Sequence, residues 1–188
     1  SRALELVKKA IQSDDGPAQM AALEMARSLN LPELTFILCE SLPKATPPMK
    51  VALIEALRQR GDRAAAPSVA AMAKSSDQGV RIAALMGLGE LGDDAAVAPL
   101  LEAASSNDDA ELKAGRYALL VLRHGDVTNA LAAHLTSGQP ATRVEAARAL
   151  AGRGDKKAVA ILTAVARENL EPVRGAAFLA LGQLADTT

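Results

Sequence analysis

The sequence predicts an all-α protein, a right-handed α-solenoid of about six helical hairpins with a period of ~31 residues. Three observations lead to this prediction. A Gly-Asp dipeptide recurs along the chain, the apolar residues before it follow helical spacing, and no segment alternates as a strand would. The phrases VRIAALMGLGELGDD at 80–94 and VRGAAFLALGQLAD at 173–186 show the repetition directly.

The Gly-Asp dipeptide predicts the turn between two helices. Glycine suits the left-handed position just past a helix end, and aspartate can cap the next helix by accepting hydrogen bonds from its first free N–H groups. The copies are Gly61-Asp62, Gly92-Asp93, Gly125-Asp126 and Gly154-Asp155, with degenerate ones at Asn30 and at Ala185-Asp186. We therefore expect first helices near 17–29, 48–60, 79–91, 110–123, 141–153 and 172–184. Second helices are expected near 2–13, 32–43, 64–75, 94–105, 127–137 and 156–168.

Small residues recur along the first helices and explain the abundance of alanine. They let neighbouring helices approach near the short end of the usual range of about 8–10 Å between axes. Enlarging one should overpack the contact between the helices and cost about 1–3 kcal/mol. The positions concerned are Ala52, Ala83, Ala84, Ala146, Ala147, Ala176 and Ala177.

Positively charged residues recur near the start of the first helices and predict a structural charge ladder. Arg81 cannot pair with Asp93 of its own turn, because twelve residues of helix separate them by about 18 Å. The acids of the connectors are within reach instead. The ladder consists of Lys50, Arg81, Arg143 and Arg174, and the expected partners are Asp77, Asp108 and Glu171.

The fourth copy of the repeat departs most from the others, with Leu112-Lys113 in place of Val-Arg. We interpret this as one extra residue in the connector and one before Gly125, with Tyr117 filling the gap that the shift opens. The alternative is a local bulge that presents Arg116, Tyr117, Arg123 and His124 to a partner.

Composition argues against several classes of function. A net charge of -1 and 2% aromatic residues supply neither the electrostatic footprint nor the stacking platforms of a nucleic-acid-binding protein. No apolar run reaches the ~20 residues that span a membrane. The single cysteine, Cys39, and the two histidines, His124 and His134, are weak evidence for a metal. We expect no nucleic acid or membrane partner, no metal, no cofactor and no catalytic residue.

The residues Val80-Arg81, Ala83-Ala84-Leu85, Leu88-Gly89, Leu91-Gly92-Asp93, Ala96-Val97 and Pro99-Leu100 resemble a HEAT-like repeat of the phycobilisome-lyase type. The copy from Val173 to Asp186 is similar to the first half of that repeat. The resemblance implies an armadillo-like solenoid, and it leaves function open because such repeats occur in scaffolds, lyases and hydroxylases. The His-Glu pairs of the iron-dependent deoxyhypusine hydroxylases are absent from this sequence.

We expect a non-catalytic scaffold that binds a protein or peptide on its concave face, which the second helices would line. Two alternatives stay open, a lyase or chaperone-like module that handles a bilin or another prosthetic group, and an architectural segment of a larger protein. The candidate partner-binding residues are Phe36, Glu40, Lys74, Glu102, Tyr117, Leu131, His134 and Arg167.

Neither end of the sequence has the polar face of a capping repeat. The first helix carries Leu4, Leu6, Val7, Ala10 and Ile11, and the last carries Val173, Phe178 and Leu181. We expect residues 1–188 to be a single domain excised from a longer array of repeats. The last helix should then fray or self-associate weakly, which hydrogen exchange together with sedimentation would test.

Overall fold

The computed structural model describes residues 2–13 and 15–186, and every regular element in them is helical. The first helices of the repeats are α2 (Gly16–Ser28), α4 (Pro47–Arg60), α6 (Gln78–Leu91), α8 (Asp109–Val121), α10 (Pro140–Gly152) and α12 (Glu171–Ala185). The second helices are α1 (Arg2–Ile11), α3 (Pro32–Ser41), α5 (Ala66–Met72), α7 (Val97–Ala104), α9 (Val127–Ser137) and α11 (Val159–Val165). All first helices lie within two residues of their predicted bounds.

The chain divides into two compact units, residues 1–91 and residues 92–188. In the first unit, α1 packs on α2 and α3, α4 packs on α2, α3 and α6, and α5 packs on α6. In the second unit, α8 packs on α7, α10 packs on α8, α9 and α12, and α11 packs on α12. Each unit is therefore a stack of helical hairpins that bury their apolar faces against each other.

The repeat is more regular than the sequence suggests. The first helices begin at a constant spacing along the chain, at Gly16, Pro47, Gln78, Asp109, Pro140 and Glu171. We use the term register position for residues whose numbers differ by whole multiples of this spacing. One register position on the second helices lies in the core of each unit, where each side chain is at most 2% exposed: Val7, Leu38 and Val69 in the first unit, and Leu100, Leu131 and Leu162 in the second.

The fourth copy keeps this register, so the prediction of an extra residue in its connector is wrong. Its first helix begins at Asp109, one full spacing after Gln78, and Leu122 stands at the same register position as Leu91. The additional residues are Arg123 and His124, which precede Gly125. The register is recovered because α9 begins directly after the Gly-Asp dipeptide, whereas most other second helices are preceded by a short turn.

Three of the four Gly-Asp turns have the left-handed glycine that the sequence predicts, and Gly92 is the exception. Gly61, Gly125 and Gly154 have positive φ values of 66°, 75° and 66°, a region that side chains disfavour. Gly92 is not among the glycines with positive φ. The aspartate carboxylates accept hydrogen bonds from Ala64 N at 3.1 Å, Ala95 N at 3.1 Å, Asn129 N at 3.2 Å and Lys157 N at 3.2 Å.

Three second helices begin two or three residues later than the bounds 64–75, 94–105 and 156–168 that the sequence predicts. Each is preceded by a single 3₁₀ turn, at Arg63–Ala65, Asp94–Ala96 and Lys156–Ala158. The aspartate before each turn caps the N–H two residues ahead, which favours the tighter 3₁₀ hydrogen-bonding pattern at the start of the element.

Two arginines bind the ends of preceding first helices, a role that the sequence analysis missed. Arg60 donates to the carbonyls of Leu29 at 2.8 Å and Leu31 at 2.7 Å, and also to the carbonyl of Ala26. Arg153, at the same register position, donates to Leu119 O at 2.8 Å and Leu122 O at 2.6 Å. These guanidinium groups satisfy carbonyls that a helix end leaves free, and their charge suits the negative end of the helix dipole.

Replacing Arg153 by methionine should lower the free energy of unfolding by about 1–3 kcal/mol, because charge-assisted hydrogen bonds to several carbonyls are lost while the aliphatic part is kept. Urea denaturation followed by circular dichroism measures the change. Arg167→Met is the matched control, since Arg167 is exposed and its side chain makes no hydrogen bond within the described residues. Equal stabilities of the two variants would contradict the capping role.

Candidate functional site

The structure distributes the predicted partner-binding residues over several environments. Phe36, Glu40, Lys74, Glu102 and Arg167 are exposed or half-buried, and so is His134. Lys74 and Arg167 follow the last turns of α5 and α11, rather than lying within these helices. Glu40 forms an ion pair with Lys8 at 3.0 Å.

Leu131 is a correction to the candidate set. Its side chain is fully buried, at the core register position that it shares with Leu100 and Leu162. A residue at the centre of the core has no surface to offer a partner, so we remove Leu131 from the set.

The outer surface of the second helices in the second unit is built mainly from small side chains. Two register positions on α7, α9 and α11 hold exposed or half-buried side chains. The first consists of Glu102, Ala133 and Ala164, and the second consists of Ala98, Asn129 and Ala160. Interface hot spots favour large side chains such as Trp, Tyr and Arg. This surface therefore offers little of the chemistry that strong recognition uses.

The first helices of the second unit carry the larger exposed side chains. Tyr117 is 45% exposed, Leu120 is 47% exposed and Leu179 is 78% exposed. The predicted gap-filling role of Tyr117 is wrong, because the intact register leaves no gap and the ring lies at the surface. Its register position holds large or charged residues in other copies, including Glu55, Met86 and Arg148.

Two clefts open on this first-helix surface of the second unit. The α8/α10 cleft has a volume of about 190 Å³ and is lined by Arg116, Leu119, Leu120, Glu145, Arg148, Ala149, Gly152 and Gln183. The α10/α12 cleft has a volume of about 210 Å³ and is lined by Val144, Arg148, Ala151, Ala176, Leu179, Ala180 and Gln183. Arg148 and Gln183 line both clefts, which are therefore adjacent.

A carboxylate with two guanidinium neighbours forms the polar part of the α8/α10 cleft. Glu145, which is 6% exposed, accepts two hydrogen bonds from Arg116, at 2.8 Å from Nε and 2.7 Å from Nη2. Its second neighbour is Arg148, whose Nε lies 3.4 Å from Oε2. The hydrogen bonds to Glu145 raise the pKa of the Arg116 guanidinium, with burial acting in the opposite direction.

This group of charges is a departure from the repeat at two register positions together. Alanine occupies the position of Glu145 in every other copy, namely Ala21, Ala52, Ala83, Ala114 and Ala176. The position of Arg116 holds an apolar residue in every other copy, namely Leu23, Ile54, Leu85, Ala147 and Phe178. Comparison of the copies at a strictly constant spacing would have found both residues, and the insertion assumed in the fourth copy concealed Arg116.

The residues of the predicted charge ladder contact backbone carbonyls as well as acids. Arg81 donates to Ser75 O and Ser76 O, both at 2.9 Å, near the end of α5. Arg143 donates to Leu135 O at 2.6 Å and pairs with Glu168 at 2.6 Å, while Arg174 pairs with Glu171. Lys50 makes no side-chain hydrogen bond or ion pair with any described residue. Arg81 and Arg143 thus donate to carbonyls near the end of a second helix, whereas Arg174 pairs with an acid of its own helix.

The described residues offer no arrangement typical of a metal centre or a reactive thiol. Within residues 2–13 and 15–186, no group of three or more His, Cys, Asp or Glu side chains is placed to hold a metal ion. Burial raises the pKa of the Cys39 thiol, which disfavours the reactive thiolate. None of the helices described here combines the length and apolar character that a bilayer-spanning segment needs.

The family model described as HEAT repeats matches residues 37–120 and 126–188, which is more than half of the chain. The chain therefore belongs to the HEAT repeat family, and the predicted all-α solenoid fold is confirmed. Members of this fold commonly serve as scaffolds, and the fold supports that class of function here.

Solved structures share this fold at low sequence identity. YibA of Escherichia coli has a TM-score of 0.57 and 16% identity over 99% of this chain and 71% of its own. An engineered protein has a TM-score of 0.53 and 19% identity over 99% of this chain and 97% of its own. A designed armadillo repeat protein in complex with the peptide (KR)4 has a TM-score of 0.50 and 14% identity over 98% of this chain and 100% of its own. Among curated proteins, none has a sequence that matches this chain.

Proposed function

We propose that the chain is a non-catalytic scaffold that binds a protein or peptide through the α8/α10 and α10/α12 clefts. The observation that carries this proposal is the combination of exposed leucines with adjacent clefts. Leu120 and Leu179 are apolar side chains at the mouths of concave sites, where burial by a partner would be favourable by about 1.5–3 kcal/mol for each fully covered side chain.

The proposal places the binding surface on the first helices, whereas the sequence led us to expect it on the second helices. The alanine-rich outer rows of α7, α9 and α11 are the reason for the change, because they lack large apolar anchors. Among known proteins of similar fold, a designed armadillo repeat protein is solved in complex with a peptide. That complex supports a peptide or protein ligand as a general class.

Selection of peptides from a random display library on the immobilised chain tests the proposal. Peptides that are enriched should bind the unaltered chain and lose at least about tenfold in affinity on Leu179→Ser, since one well-covered leucine accounts for that factor. Fluorescence anisotropy of the labelled peptides measures the affinity. Val159→Ser is the matched control, because Val159 is 40% exposed on α11, a second helix of the same unit.

Loss of binding on Val159→Ser with Leu179→Ser unaffected would move the site to the second helices and refute the assignment to the clefts. The absence of any enriched peptide would refute a peptide-binding function for both surfaces. Leu179 is highly exposed, so its replacement by serine should leave the urea midpoint unchanged, and that measurement is made on the same sample.

A further inference from the structure

We propose that the ligand of these clefts is an acidic peptide segment in which a carboxylate side chain is flanked by two apolar residues. This inference rests on the function proposed above and specifies the chemistry of its ligand. It follows from the charges at the clefts and from the places of the two exposed leucines.

The charges at the clefts are unbalanced in favour of the cations. Arg116 and Arg148 share the single carboxylate of Glu145, and both oxygens of that carboxylate already accept from Arg116. Among the described residues, Glu145 is the sole acidic one that lines either cleft. Two guanidinium groups with one buried carboxylate leave a local excess of about one positive charge.

Arg148 is the side chain that can receive a carboxylate from a ligand. Its side chain is 56% exposed, and it donates no hydrogen bond to any residue that the structure describes. The guanidinium group presents paired N–H donors that match the two oxygens of a carboxylate. Arg148 also lines both clefts, so an acid bound there would stand between their apolar parts.

The two clefts set the spacing of the apolar residues in the ligand. The α8/α10 cleft, with Leu120, and the α10/α12 cleft, with Leu179, lie on either side of α10, so their centres are about one interhelix distance apart. Packed helices lie about 8–10 Å apart, and an extended peptide advances about 3.3 Å per residue. Apolar residues about three positions apart would therefore reach both clefts, with the acidic residue between them close to Arg148.

Three peptides that differ at one position test the inference. They carry the core Leu-Glu-Ser-Leu, Leu-Gln-Ser-Leu or Leu-Lys-Ser-Leu in the same Gly-Ser flanks, with the same neutral dye. At low salt, the glutamate peptide should bind the intact chain about tenfold more tightly than the glutamine peptide, and the lysine peptide should bind most weakly. Fluorescence anisotropy gives the three affinities.

The variant Arg148→Gln should reduce the preference for glutamate over glutamine to about twofold or less, because the receiving cation is removed. Arg167→Gln is the matched control and should retain the full preference, since Arg167 is an exposed arginine of the same unit outside both clefts. The preference of the intact chain should also shrink between about 50 and 500 mM salt.

Equal affinity for the glutamate and glutamine peptides, with binding lost on Leu179→Ser, would overturn the inference and leave the proposed function intact. A preference for glutamate that survives Arg148→Gln and disappears with Arg167→Gln would overturn both, because recognition would then lie outside the clefts. Failure of all three peptides to bind at millimolar concentration overturns the inference, while selection from the random library still decides the proposed function.

Discussion

Replacing Gly115 by alanine should destabilise the protein by about 3 kcal/mol, the upper end of the usual cost of overpacking a helix contact. A Cβ atom at this position would lie 2.5 Å from Ala104 N and 2.9 Å from both Ala103 C and Leu100 O. These are backbone atoms of α7, so the strain can be relieved only by moving one helix away from the other.

Chemical denaturation of Gly115→Ala beside Gly175→Ala measures this effect. The added methyl group at residue 175 meets nothing within 4 Å, so the variant should gain about 0.5–1 kcal/mol from the higher helix propensity of alanine. The same Gly→Ala change should therefore lower the free energy of unfolding at residue 115 and raise it at residue 175. A Gly115→Ala protein as stable as the unaltered chain would show that α7 and α8 are not in close contact.

Replacing Arg116 by leucine should cost about 2–3 kcal/mol, because it leaves the buried carboxylate of Glu145 with Arg148 alone as a neighbour. The full cost of breaking a buried ion pair is about 3–5 kcal/mol, and the remaining cation reduces it. The double variant Arg116→Leu/Glu145→Ala should recover most of the loss, since it restores the residue types that the other copies carry at both register positions.

A double-mutant cycle on Arg116 and Glu145, followed by urea denaturation, gives the coupling energy between the two side chains. Lys113 and Asp109 supply the control cycle, because they form an ion pair at 2.5 Å on the same helix with side chains that are 72% and 76% exposed. That pair should couple by about 0.5 kcal/mol or less. Similar coupling in both cycles would mean that burial of Glu145 adds nothing to the interaction.

The fold was predictable from the sequence because its determinants are local. Helical spacing of apolar residues, the glycine at the turn and the aspartate after it act within a few residues, and the first helices accordingly lie within two residues of their predicted bounds. The short 3₁₀ turns before α5, α7 and α11 were missed, because a 3₁₀ turn and the first turn of an α-helix have the same residue pattern.

The candidate site was predicted poorly, and the reason differs between residues. Tyr117 was expected either to fill a gap or to face a partner, and the structure places its ring at the surface. Leu131 was chosen because it stands on a second helix, and only its burial shows that it faces the core. The pairing of Arg116 with Glu145 joins two different helices, and helical spacing within one element carries no information about such a contact.

The sequence by itself determined the helices, their turns and the period of the repeat, because each depends on interactions between residues close in the chain. The tertiary structure decided which side of each helix lies in the core and how closely neighbouring helices approach. It thereby decided that Gly115 packs against backbone atoms, that Glu145 is buried beside two arginines, and that the clefts lie on the first helices of the second unit. These features depend on side chains from different repeats meeting in space, so they follow from packing between helices and not from the pattern within any one of them.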